Sequence, residues 1–393
     1  MVEGLAALVV DLGNSETRVT TYFGKTQRGR IRKRTSELSN MFGRFKDVQS
    51  YNNIMANKEY SDENSRVFKM NDETYCTGLM QEAEFSSSVL RPSGRVKKYT
   101  SIESKLAICN AFCQGYEDIA YWTQADIDSI NVEWNVTVLL PADDMELGAK
   151  KMASLVKEIS ELEFIMPRFI KEPVIKKVII MPEGYSAFLG TVFERSGVVR
   201  KGYEGVVEPG VKTLIIDIGA GTTDLSIVDG SRLITSSKYS ETIGGNNVSS
   251  KLSHLLKQRE IPRVGISKIM EACETGILKM GVKQYDVHDE LNSAKESVAD
   301  ELVNMIKEYQ DYTGIQIGDI SYILVCGGGS VFNENDEKMI PITNYIIGFL
   351  KKLSDGLELL ELPIVEEDGR EVKVSPRLLN VMGAGIASEG GLQ

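Results

Sequence analysis

The chain has 393 residues, of which 42% are hydrophobic and 26% charged, and a formal net charge of −11. That length suits two or three domains, each with its own core, and the acidic balance excludes broad non-specific nucleic-acid binding, which needs clustered Lys and Arg. Five scattered cysteines, Cys76, Cys109, Cys113, Cys273 and Cys326, form no Cys-x-x-Cys, which argues against zinc or a disulfide framework and for reduced thiols in a cytoplasm.

The first apolar run has no basic region ahead of it and ends in Asp11, so it reads as a core strand rather than a signal peptide. No stretch of about 18 apolar residues occurs, so no spanning helix is expected. Residues 385–393 lack the character of a basic amphipathic membrane anchor. Strands are predicted over 5–11 and 18–23. Residues 24–36 then carry Lys25, Arg28, Arg30, Arg32, Lys33 and Arg34 with no acid among them. They form either a solvated strand or loop, or a contact for DNA or a neighbouring subunit's acidic face. From about 40 to 100 the chain is polar and turn-rich, with a hairpin predicted around 67–70 and 74–77. Thr100 and Glu103 have the spacing of a capping box for a helix to about Gln114.

Residues 134–140 run apolar into Pro141 as a buried strand. A helix is expected over 143–160, a strand over 174–181, a helix over 185–193 and a linker over 194–210. Gly244-Gly245 precedes a helix to about Arg259, with Asn246 as a candidate N-cap. Further helices are expected over 267–280 and 289–312. In the second of these, Leu291, Ala294, Val298, Leu302, Met305 and Tyr309 share one face. Residues 320–325 form a buried strand that ends in Cys326-Gly327-Gly328-Gly329-Ser330, and a last helix starts near Pro376. His254 and His288, the two histidines, are expected at the surface. The alternation of strands and helices indicates an α/β fold.

One segment is nearly copied within the chain. Leu8-Val9-Val10-Asp11-Leu12-Gly13-Asn14-Ser15-Glu16-Thr17 returns as Leu214-Ile215-Ile216-Asp217-Ile218-Gly219-Ala220-Gly221-Thr222-Thr223. Each copy reads as an apolar strand, an Asp, a Gly-containing turn and a second strand. Such a turn offers backbone N–H groups to phosphate oxygens. The Asp suits a hydrated Mg²⁺, which takes few protein ligands. Neither a G-x-x-x-x-G-K-[ST] loop nor a strand–turn–helix G-x-G-x-x-G is present.

In this order the segments resemble the actin-like fold, the superfamily of actin, the heat-shock chaperone ATPase domain and the sugar kinases, over nearly the whole chain. Residues 11–18 and 216–224 resemble its two phosphate loops. Residues 178–189 and 380–387 resemble its connecting segments, and 324–330 its adenosine-binding segment. The implied fold is α/β, with two related RNase H-like domains flanking a nucleotide cleft. Domain I would span 1–190, with a small inserted subdomain at about 25–100, and be completed by the C-terminal helix 376–393; domain II would span 191–375.

The resemblance implies that Gly13, Asn14, Ser15, Glu16 and Arg18, with Gly219, Ala220, Gly221, Thr222 and Thr223, contact the β- and γ-phosphates of ATP or GTP. Arg18 stands where bacterial relatives mostly carry Lys, and adds a planar donor fork. Asp11 and Asp217 would hold Mg²⁺ through its waters. Gly327, Gly328, Gly329 and Ser330 would admit the nucleotide sugar and α-phosphate; a turn needing positive φ is the plain alternative. Gly244, Gly245, Glu271, Glu274 and Lys279 resemble segments that contact ribose and base. Glu183 follows Met181-Pro182, as the catalytic Glu does in plasmid-segregation actins, and would orient the attacking water; the alternative is a helix-start acid favoured by the macrodipole.

Chain length, the Met-Pro-Glu segment and the small insertion are similar to the filament-forming, plasmid-partitioning ATPases of the ParM and Alp families. What this implies is a cytoplasmic ATPase without membrane contact. It would polymerise with ATP, be tethered by a small DNA-binding adaptor at a plasmid centromere, reach DNA through that adaptor and disassemble after hydrolysis. A soluble small-molecule kinase or a chaperone-like ATPase of the same fold is the alternative. Loops 40–66 and 331–341 and the basic run 25–34 are candidate filament surfaces.

Overall fold

The computed structural model describes residues 1–13, 16–26, 29, 31–57, 60, 65–85, 89–90, 96–166, 172–261, 264–330, 337–367 and 370–389. Asn14, Ser15, Arg28 and Arg30, with parts of both candidate surface loops, therefore lie outside the described residues. The chain divides into two compact units. One comprises residues 1–140, 144–182 and 381 onward; the other comprises 141–143 and 183–380.

In the first unit, strands β1 (Val2–Leu12), β2 (Glu16–Lys25), β3 (Ile31–Ser39), β4 (Ile130–Leu140) and β5 (Val174–Pro182) form a sheet of order β3-β2-β1-β4-β5. β1 pairs antiparallel with β2 and parallel with β4. It is therefore covered on both edges, and its residues from Ala6 to Leu12 are all buried. Near-continuous apolar sequence is what a strand covered on both faces requires. Trp134 of β4 packs edge-on against Phe112 and Tyr116 of the helix Ile102–Thr123, with ring centroids 5.6 and 5.2 Å away. Gly115 permits this approach, since a Cβ there would lie 2.7 Å from the indole.

That helix is longer than the expected end near Gln114. Its cap is Ser101, whose Oγ accepts from Ser104 N–H at 3.0 Å, rather than Thr100, which lies in the preceding 3-10 turn. In the described part of the basic run Lys25 ends β2 and residues 31–36 lie in β3, an edge strand of the main sheet, one of the two forms expected of it. Two of its cations are tied to the same helix: Arg32 donates to Trp122 O at 2.8 Å, and Arg34 lies 3.4 Å from buried Asp118 and over the Tyr121 ring.

A second, smaller sheet begins beyond Asn40. Its strand order is Gly43–Arg44, Glu73–Gly78, Ser65–Met70 and Glu163–Met166, around a core of Phe45, Val67, Cys76 and Met80. The last of these strands arrives from far along the chain, which local pattern does not reveal. The terminal helix, Leu379–Glu389, belongs to this unit from Val381 onward. Ser388 and Thr137 of β4 share a hydroxyl hydrogen bond of 2.6 Å, and Gly385 lies against Tyr22.

The second unit repeats the plan. Strands β6 (Lys212–Ile218), β7 (Thr223–Asp229) and β8 (Tyr322–Cys326) place β6 between an antiparallel β7 and a parallel β8. The six apolar residues predicted for one face of helix His288–Thr313 are all buried in this unit's core. Helix Glu183–Val192 counts here too, so this unit begins before the boundary expected at 190; Gly184 lies against Ile215, Ser226 and Asp217.

Residues 194–210 are not a free linker. Arg200 N–H donates to Val192 O at 2.8 Å and the Tyr203 hydroxyl to Glu361 O at 2.6 Å. The helix expected over 267–280 stops at Thr275, where Gly276 adopts φ +67°, and Ile277–Met280 is a strand paired with Lys283–Asp286. His288 is buried rather than at the surface, 6% exposed, with Nδ1 2.6 Å from Asp286 Oδ1. It starts the long helix and fills the space that Gly276 leaves open. His254 is exposed, as expected.

A methyl group at Gly385 would sit 2.0 Å from the Tyr22 hydroxyl oxygen. Gly385→Ala is therefore expected to lower stability by about 1–3 kcal/mol through overpacking, read as a urea midpoint. Adding Tyr22→Phe should recover part of that loss.

Candidate functional site

The sequence repeat is also a repeat of register. Asp11 occupies the penultimate position of β1, pairs across the hairpin with Arg18, and lies beside Leu139 of β4. Asp217 occupies the penultimate position of β6, pairs with Asp224, and lies beside Cys326 of β8. Both carboxylates are buried, 5% and 4% exposed. Removing a carboxylate from water is costly unless charge or hydrogen bonds compensate, and each hairpin compensates differently.

In the first unit Arg18 Nη1 lies 3.6 Å from Asp11 Oδ2, while its Nε donates to Glu37 Oε1 at 3.1 Å. Burial works against the guanidinium charge, but Asp11 and Glu37 outweigh it, and the pKa is raised above the ordinary arginine value. Arg18 is thus a fixed cation beside the first Asp. Gly13 closes the strand: its N–H donates to Asp11 O at 3.2 Å, and its carbonyl accepts from Asn40 Nδ2 at 2.6 Å. Asn14 and Ser15, the expected phosphate contacts between Gly13 and Glu16, lie outside the described residues.

In the second unit Asp217 Oδ2 accepts from Asn380 Nδ2 at 3.0 Å. Asn380 Oδ1 is buried without a hydrogen-bond partner among the described residues. Gly327, at φ +89°, follows β8 with its backbone pressed onto the hairpin; a Cβ would meet Asp217 Oδ1 at 2.3 Å and Ile218 O at 2.4 Å. Gly329 is equally confined, since its Cβ would meet Gly219 O at 2.3 Å and Gly245 N at 3.0 Å. The Ser330 hydroxyl is engaged locally, donating to Gly327 O at 2.7 Å.

Gly244 and Gly245 join the same cluster. Gly245 N–H donates to Gly219 O at 3.0 Å and Asn246 N–H to Ala220 O at 2.7 Å. A Cβ on Gly244 would meet both of those carbonyls and Thr222 N inside 3 Å. Gly244 is therefore required by the packing of the hairpin tip, whatever else it touches. The N-cap of this helix is Gly244 rather than the expected Asn246, and the side chain of Asn247 in the first turn reaches back, its Oδ1 accepting from Gly244 N–H at 3.0 Å. Gly219 N–H donates to Thr222 O at 2.8 Å, which commits that expected phosphate donor to the turn. Thr223 Oγ1 is committed as well, to Ile243 O at 2.7 Å. Ala220, Gly221 and Thr222 are half-buried at the tip.

Glu183 is the first residue of its helix and is buried. Glu271 and Lys279 form an ion pair with each other at 3.0 Å, and Glu274 is exposed. Sequence reading did not single out Asn380, Asn40 or Glu37. Each is one amide or carboxylate in an unremarkable stretch, and only the fold brings it to a hairpin. Among the described residues no group of three or more His, Cys, Asp or Glu is placed to hold a metal alone.

Comparison with known proteins follows this geometry. Residues 215–336 match the family model for the C-terminal part of the archaeal MreB-like actin homologue. The solved structure of the actin-like protein Alp7A superposes with a TM-score of 0.68 at 14% identity, covering 99% of this chain and 97% of that one. This protein has the actin-like fold. Bacillus thuringiensis ParM with ATP gives a TM-score of 0.61 at 14% identity, with 99% of each chain covered. A 15-stranded ParM filament from Clostridium botulinum gives 0.62 at 14% identity, covering 99% of this chain and 100% of that one. Curated protein sequences return no match. The actin-like protein is thus similar over its length to ParM and Alp structures while sharing few residues with them.

Removing the donor to buried Asp217 should be measurable. Asn380→Ala removes one donor to Asp217 and is expected to cost about 1.5–3 kcal/mol, the usual contribution of a hydrogen bond to a charged group, seen by urea denaturation. Asn380→Asp would place two carboxylates together, so one would bind a proton with a raised pKa. That variant should be less stable than wild type at about pH 8 and recover toward about pH 5, measured by thermal melting.

Proposed function

We propose that this protein is a nucleoside triphosphatase that assembles into filaments and drives plasmid DNA segregation, with hydrolysis coupled to disassembly. The observation that carries the reading is the shared register of the two hairpins, each with a buried Asp before a glycine turn. ATP is favoured over GTP because a ParM of the same fold was solved with ATP. The ParM filament supports self-association.

The residues fit a phosphate ligand with Mg²⁺. Gly13, Glu16 and Arg18 of one hairpin, with Ala220, Gly221 and Thr222 of the other, are the proposed phosphate contacts. Asp11 and Asp217 would hold the ion through water, since Mg²⁺ keeps much of its hydration. Asn380 Oδ1, which has no hydrogen-bond partner among the described residues, can accept from one such water beside Asp217. Bound nucleotide supplies the phosphoryl group that water attacks. Arg18 meets the added negative charge without a change of protonation, exchanging part of its contact with Asp11. Glu183, buried at a helix start, orients the water and takes its proton late.

Among the described residues no helix is long and apolar enough to cross a membrane. The proposed partners are further copies of the chain and a small DNA-binding adaptor at a plasmid centromere, in the cytoplasm. Since Arg32 and Arg34 are tied to their own unit, DNA is reached through the adaptor.

Sedimentation and phosphate release with Mg²⁺-ATP, Mg²⁺-ADP and no nucleotide test the reading. Glu183→Ala should sediment with Mg²⁺-ATP as wild type does but release phosphate roughly 10²-fold more slowly. Asp217→Ala should lose turnover. A Glu183→Ala chain that cannot assemble, or an Asp217→Ala chain with full turnover, would remove that residue from its role.

A further inference from the structure

We propose that Asn40 is the positioning residue of the first phosphate hairpin, an inference that rests on the nucleotide reading above. Asn40 follows β3 and is 1% exposed. Its Oδ1 accepts from Thr17 Oγ1 at 2.7 Å and its Nδ2 donates to Gly13 O at 2.6 Å. Gly13 follows the end of β1 and Thr17 lies at the start of β2, so one side chain spans both flanks of the tip. Gly13 N–H in turn donates to the backbone carbonyl of Asp11, which carries the brace to the strand position that bears the carboxylate.

An amide is suited to this place. It donates and accepts at once, whereas a carboxylate only accepts and an aliphatic chain does neither. The bonds are also where the backbone most needs fixing. Gly13 has no side chain to pack, and a Cβ there would lie 2.3 Å from Glu16 O. The other hairpin is held differently, by backbone bonds from Gly245 and Asn246. Asn40 does in the first unit what a glycine loop does in the second.

The same residue stands at a junction. Met41 O accepts from Thr77 Oγ1 at 3.0 Å, and Phe42 exchanges backbone hydrogen bonds with Leu90 at 2.9 Å. The two residues after Asn40 are therefore anchored in and beside the small sheet. A ligand that fixes the hairpin tip fixes, through this amide, the chain that leads into that sheet.

The test compares wild type, Asn40→Asp and Thr17→Val for Mg²⁺-ATP binding by calorimetry, steady-state phosphate release and thermal melting. Asn40→Asp keeps the acceptor for Thr17 and loses the donor to Gly13. Its Kd and KM for Mg²⁺-ATP should rise roughly tenfold, with kcat changed less, while the buried carboxylate also lowers the melting temperature. Thr17→Val should weaken binding in the same direction and by less. A residue of merely structural importance would lower the melting temperature and leave KM in place. The inference is overturned if both variants bind Mg²⁺-ATP within about twofold of a wild type that binds it. Failure of wild type itself to bind would overturn the nucleotide reading, and is seen in the wild-type arm alone.

Discussion

A buried carboxylate at the penultimate position of a central strand is the constraint on which each unit is built. Asp11 and Asp217 lie on strands paired along both edges and are 5% and 4% exposed, so little water reaches their charge. Uncompensated burial of an ion costs several kcal/mol, and removing one partner of such a group is strongly destabilising. The first unit meets the cost with a cation across the hairpin, Arg18, itself steadied by Glu37. The second has Asp224 at the equivalent place and takes an amide, Asn380, from the last helix. One local problem thus has two solutions in one chain. The two hairpins thus differ in charge at one register position, with Arg18 in one and Asp224 in the other.

The close backbone packing follows from the same positions. Asp217 is reached by a strand end on one side and by Gly327 on the other, and the tip beyond it rests on Gly244, Gly245 and Gly329. At Gly244, Gly327 and Gly329 the approach is closer than any Cβ tolerates, so these three glycines are required by packing before any ligand is considered. Their presence is compatible with a nucleotide site but has a structural cause of its own. More informative are the polar groups beside each Asp: the charged Arg18 in the first unit and, in the second, Asn380 Oδ1, which has no hydrogen-bond partner among the described residues.

Much of the framework was legible because it is local or repeated. The near-copy of 8–17 at 214–223 announced two hairpins and, with them, two related units; the apolar faces of β1 and of the 288–313 helix followed from periodicity. What stayed hidden depends on contacts distant in sequence. The strand Glu163–Met166 joins a sheet made mostly from residues 43–78. β3 reads as a basic surface run until Asp118 and Trp122 O are brought to its arginines. The break at Gly276 is a local signal that was overruled by helical periodicity on both sides. Among site residues, the Asp and Gly positions could be read from the repeat. Asn40 and Asn380 could not, since each matters only through the hairpin it reaches.

Amide hydrogen exchange with and without Mg²⁺-ATP tests the central claim most directly, since it reports on both hairpins in one experiment. The account predicts slowed exchange in peptides covering 8–20 and also in those covering 214–226, with little change in the core of the 288–313 helix. Protection confined to one hairpin, or absent from both in a protein that binds ATP, would contradict it.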